Sequence, residues 1–89
     1  MYVHLGGDVS ISDRYILAIL DLDSLVNSRE GDLGFLESIE RSEGLEILSE
    51  NIPQSLILTL DRIYLSPLPV KLLAERLRSA REMVMRRKK

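Results

Sequence analysis

His4 is the only histidine, and the chain has no cysteine. A nucleophile–base pair would need a serine within reach of that ring and an acid to orient it. His4 instead lies in a short alternating segment that ends at the turn signal Gly6-Gly7-Asp8, and it reads as an ordinary strand histidine. A zinc site without cysteine ordinarily takes two or more histidines, so a lone ring does not make one. Asp21 and Asp23 stand two apart after an apolar run. On a strand that spacing would turn both carboxylates to one face, as a divalent-cation site or an acid–base pair requires. A solvated loop entrance is the plainer reading. The chain carries no Asp-x-Asp-x-Asp-Gly loop, no Gly-x-x-x-x-Gly-Lys phosphate loop and no Gly-x-Ser-x-Gly elbow. These features argue against an enzyme, and no cofactor or metal is expected.

The cations are more informative. Lys71, Arg76, Arg78, Arg81, Arg86, Arg87, Lys88 and Lys89 face only Glu75 and Glu82 in the last nineteen positions, a local charge of +6. Residues 1–70 hold four basic groups against twelve acidic ones, a charge of −8. The net −2 therefore hides a dipolar molecule, which points toward a polyanion or an acidic partner surface at one end. On a helix, Arg78, Arg81 and Met85 fall near one line, apart from a seam of Val70, Leu73, Leu77, Ala80 and Val84 at spacings of three and four. That basic stripe suits phosphate contact. It equally suits a solvated face whose cations complement the helix C-terminus. The seam suits either the domain's own core or a subunit interface.

The elements that must position these residues follow from periodicity. Met1–Leu5 and Val9–Ser12 alternate around the Gly turn, as a hairpin does. Tyr15–Leu20 is continuously apolar and predicts a central strand covered on both faces. Asp21–Glu30 is polar and reads as a loop. Asp32 would cap a helix carrying Leu33, Phe35, Leu36 and Ile39, ending at Gly44. Leu45–Ser49 alternates again, and Asn51-Ile52-Pro53-Gln54 is a turn. Ser55–Leu60 and Ile63–Leu65 flank Asp61-Arg62 as a tight hairpin, and Ser66-Pro67-Leu68-Pro69 precedes the long basic helix. The order β-β-β-α-β-β-β-α predicts a small single α+β domain with an antiparallel-rich sheet and a long C-terminal helix. At 89 residues one domain is expected. No stretch approaches the ~18–20 apolar residues of a membrane span, and the first residues do not read as a signal peptide. With no disulfide framework, a soluble cytoplasmic protein is expected.

Three stretches, taken together, resemble a known family: Met1–Asp8, Ser12–Asp21 and Pro53–Leu68. Their order and spacing are similar to the RemB (YaaB-type) branch of the Rem extracellular-matrix regulators of Gram-positive bacteria. The similarity covers most of residues 1–77 and closes at Leu73–Leu77, which makes 1–77 a Rem-like domain and 78–89 a basic extension. The resemblance implies a small DNA-binding transcriptional activator of biofilm-matrix genes. From the RemA branch it also implies a ring-forming homo-oligomer that presents arginines to DNA. The RemA-branch arginine after Ser-Ala-Asn matches Arg14 here, after Ser12-Asp13. Where that branch carries an arginine-rich loop, this chain has Asn51–Gln54 and no cation. Either the basic helix compensates, or the chain regulates by contacting a protein.

The leading expectation is thus a non-enzymatic, oligomeric regulator that holds DNA mainly by its phosphates. Arg14 and Arg62 would contact it at strand ends. Arg78, Arg81, Arg86, Arg87, Lys88 and Lys89 would attract it electrostatically. The alternative is an interaction module that regulates through a protein partner without binding DNA.

Overall fold

Alternation sets the strands, and the turns between them set the topology. The computed structural model describes residues 1–27, 37–38, 41 and 44–87. β1 (Tyr2–Gly6) and β2 (Val9–Ser12) pair antiparallel as a hairpin. Gly6 and Gly7 have φ of 123° and 57°, and a Cβ on Gly7 would stand 2.5 Å from the Leu48 carbonyl oxygen. The turn signal therefore reflects both a left-handed backbone and a close approach of chain to chain. A 3-10 turn over Asp13–Tyr15 leads into β3 (Ile16–Asp21), and α1 (Leu22–Asn27) follows directly. β4 (Leu45–Ile47), β5 (Ser55–Thr59) and β6 (Ile63–Ser66) join β3 in a sheet of order β3-β5-β6-β4. β5 is antiparallel to both of its neighbours, while β4 runs parallel to β6. α2 (Val70–Arg87) closes the described chain. The α+β class and the order of elements are as the sequence predicts.

The sheet has two apolar faces because side chains alternate along each strand. On one face Ile16, Ile57 and Tyr64 pack with Val3 and Leu5 of the hairpin and with Leu73 and Ala80 of α2. On the other, Leu56 packs with Leu22, flanked by the partly buried Leu20, Leu25, Leu45, Leu58, Ile63 and Leu65. The seam of α2 is therefore core of its own domain at Leu73, Leu77 and Ala80. Two fully buried serines stitch the layers together. Ser66 Oγ donates to the Leu5 carbonyl and accepts the Leu68 N–H at 3.0 Å; Ser55 Oγ donates to the Leu68 carbonyl. Buried hydroxyls satisfied in this way avoid a desolvation cost of about 1–3 kcal/mol each.

Three expectations need correction. The apolar run Tyr15–Leu20 is not a central strand: β3 is an outer strand, and Leu17 is 63% exposed. An apolar run cannot by itself distinguish a strand covered on both sides from one whose partner is missing. The polar stretch after Asp21 opens as α1 and not as a loop, because Asp21 caps it. Its Oδ1 accepts the Asp23 N–H at 3.3 Å, and its Oδ2 accepts from Ser24 Oγ at 3.0 Å. The connection between β5 and β6 spans Leu60–Arg62, one residue longer than expected. Thr59 Oγ1 donates to the Arg62 carbonyl at 2.6 Å and accepts its N–H at 3.0 Å, which ends β5 one residue early. The helix expected from Asp32 to Gly44 falls largely outside the described residues, of which Glu37 and Ser38 are helical.

Candidate nucleic-acid interface

α2 begins where Pro67-Leu68-Pro69 ends the sheet. The Pro69 carbonyl accepts the N–H groups of Leu72 (3.1 Å) and Leu73 (3.2 Å), which starts the helical ladder. From there the helix runs unbroken past Leu77 to Arg87. With its seam turned inward, the cations take the sides and the outer face. Lys71, Arg78 and Arg81 are exposed. Arg78 Nε stands 4.0 Å from Glu82 Oε1 one turn on, a loose and solvated pair. Arg81 Nη2 reaches the Ile16 carbonyl at 3.5 Å. Arg76 is turned the other way, its Nη1 donating to the His4 carbonyl at 2.9 Å. Arg86 and Arg87 continue the helical backbone, and Lys88 and Lys89 lie outside the described residues.

Arg14 and Arg62 come to the same end of the sheet as Arg81. The 3-10 turn bearing Arg14 packs against α2, and the Tyr15 carbonyl accepts the Leu60 N–H at 3.0 Å. The turn after β5, which carries Arg62, is thereby tied to the turn before β3. The turns carrying Arg14 and Arg62 are thus joined by the backbone, and Arg81 reaches the start of β3 from α2. The three arginines are not equally free. Arg62 Nη1 donates to Glu46 Oε1 at 2.8 Å, and its Nε lies 4.0 Å from Asp61 Oδ2. Among the described residues Arg14 makes no ion pair. The neighbouring Asp13 does not neutralise it. Asp13 is buried, and its Oδ1 accepts from the Met1 amino group at 3.1 Å.

The pairing of Glu46 with Arg62 has no local signal in the sequence. Only the parallel β4–β6 register, which sets Glu46 beside Tyr64, brings the two together. His4 is equally well explained by contacts along the fold. Its Nε2 meets the Gly7 carbonyl at 2.9 Å, and its Nδ1 lies 3.5 Å from Arg76 Nη1. Asp21 is a helix cap, so it does not form a two-carboxylate face with Asp23. Among the described residues no group of three or more ligating side chains could hold a metal ion, and no helix is long and apolar enough to cross a membrane.

This arrangement offers point charges and forked donors, which is what phosphate oxygens take. Compared with known proteins, the chain matches no family model and none of the curated proteins.

Proposed function

We propose that this chain is a non-enzymatic, oligomeric regulator that binds DNA through its phosphates. One observation carries the reading: Lys71, Arg78 and Arg81 are exposed on a single unbroken helix, and that helix packs against the turn holding Arg14, which makes no ion pair among the described residues. Neutralising several phosphates at once releases condensed counterions, and affinity then falls steeply with salt. Repetition of the same surface in an oligomer multiplies weak contacts through effective concentration. Similarity to the Rem regulators supports a cytoplasmic role in controlling biofilm-matrix genes. In this reading Arg14, Arg78, Arg81, Arg86, Arg87, Lys88 and Lys89 contribute most. Arg62, held by Glu46, contributes less.

Fluorescence anisotropy with a labelled AT-rich duplex across a salt series tests the proposal. Binding with a steep salt dependence is the expected result. No binding near 150 mM salt, about physiological strength, would overturn it. The second reading would then lead, a module that regulates through a protein partner. Its support is the set of exposed apolar residues Tyr2, Ile47, Ile52 and Leu60 on a domain whose first seventy residues carry a charge of −8.

A further inference from the structure

We infer that the groove between the outer edge of β1 and α2 is a peptide site. It takes the extended C-terminal tail of a partner protein as a strand parallel to β1, with the terminal carboxylate on Arg76. The inference does not depend on DNA binding, because this groove lies on the opposite flank of α2 from Arg78 and Arg81.

Among the described residues β1 pairs with β2 alone, so its other edge carries no strand. The register fixes which backbone groups face that edge. The Asp13 N–H bonds to the Met1 carbonyl at 2.9 Å, and Tyr2, Val3 and His4 stand opposite Ser12, Ile11 and Ser10 with no shift. Met1 and Val3 therefore turn their backbone groups to β2, and Tyr2 and His4 turn theirs outward. The Arg76 Nη1 bond to the outward His4 carbonyl, at 2.9 Å, agrees with this alternation. Three groups remain on the edge: the Tyr2 N–H, the Tyr2 carbonyl and the His4 N–H. Among the described residues none of them has a hydrogen-bond partner. A groove of about 480 Å³ opens beside them, walled by Leu72, Arg76, Ser79 and Ala80 of α2. That volume falls within the roughly 300–1,000 Å³ of ligand sites.

The three groups specify the occupant. They need an acceptor, a donor and an acceptor in turn, which a peptide backbone supplies and a phosphate, having no donor, does not. In a parallel strand one residue donates to the Tyr2 carbonyl and accepts from the His4 N–H, and the residue two before it accepts from the Tyr2 N–H. An antiparallel strand would need the His4 carbonyl for its second pair, and Arg76 already holds that oxygen. The next bond of the parallel ladder would go to the same oxygen. The incoming chain therefore ends one residue on, and its carboxylate takes the place of the missing N–H, against the guanidinium.

Arg76 is prepared for that carboxylate. His4 Nε2 meets the Gly7 carbonyl at 2.9 Å, so Nε2 carries the proton and Nδ1 turns its lone pair toward Arg76 Nη1, 3.5 Å away. Nη1 is thus held by the His4 carbonyl and faces a second acceptor. The rest of the fork makes no ion pair among the described residues, and a guanidinium fork matches a carboxylate. Glu75 on the same wall is exposed, and solvent ions screen it. The penultimate residue of the ligand lies opposite Val3, which is buried and packs with Leu73 and Ala80 of α2, so an apolar side chain suits that position.

A displayed library of short peptides with free C-termini, panned on the full chain, tests this. Enriched peptides should share an apolar penultimate residue. In fluorescence anisotropy the same peptides made as C-terminal amides should bind about tenfold weaker or worse, and Arg76→Ala should weaken the free acids to the same degree. No enriched sequence, amides that bind as well as acids, or acids indifferent to Arg76→Ala would overturn the proposal. Should Arg76→Ala fail to fold, amide exchange on the unmodified chain decides. The Tyr2 and His4 amides slow when an enriched peptide is added, and unchanged exchange refutes the site. Slowing with protein concentration alone, before any peptide is added, would give the edge to a second copy and overturn the proposal as well.

Discussion

At the residue scale, two kinds of position do different work. Gly7 is fixed by geometry, since any side chain there meets the Leu48 carbonyl in a left-handed backbone. Gly7→Ala should cost about 1–2 kcal/mol from conformation alone, with the steric clash added. Thermal or urea unfolding would read it as a lowered midpoint. Ser66→Ala removes the donor to the Leu5 carbonyl inside the core and should cost about 1–3 kcal/mol in the same assay. The surface arginines should leave stability nearly unchanged and separate by their DNA behaviour. Arg14→Ala should lower affinity and flatten the salt slope by about one unit. Arg62→Ala should do less, because Glu46 already holds that guanidinium. An equal or larger effect at Arg62 would show that DNA displaces Glu46, and would move the interface toward β4. The alternation around Gly6-Gly7 made this turn legible in the sequence. The Glu46–Arg62 pair was not legible, because sixteen residues and a parallel register separate cause from contact.

At the scale of elements, α2 is the part that the sequence predicts best. Spacings of three and four define its seam, and Leu73, Leu77 and Ala80 pack where that seam points. Leu73→Ala empties a fully buried site and should cost about 2–5 kcal/mol. For a small domain that is a large part of the total, so this variant should melt well below the parent. The continuous apolar run Tyr15–Leu20 predicts burial on both faces, but burial also depends on which strands fall beside it, and that is decided by long-range pairing. α1 forms in a polar run that reads as a loop, because the Asp21 carboxylate accepts the Asp23 N–H and the Ser24 hydroxyl at its start.

For the whole molecule, the sheet, the hairpin and the inner face of α2 form the body, and the charge is segregated on it. The acidic excess lies in the first seventy residues and the basic excess in the last nineteen. Ala80 belongs to the core, so a cut at Leu77 would damage the fold along with the charge. A chain ending at Glu82 keeps every described core residue and loses Arg86, Arg87, Lys88 and Lys89. The central claim is that these cations and their neighbours hold DNA by its phosphates. The most direct measurement is the salt dependence of duplex affinity for the full chain and for the chain ending at Glu82. The account predicts a log–log slope shallower by about three to four units in the shorter chain, close to one per cation removed. Equal slopes would contradict it and would return the helix to the role of a solvated face.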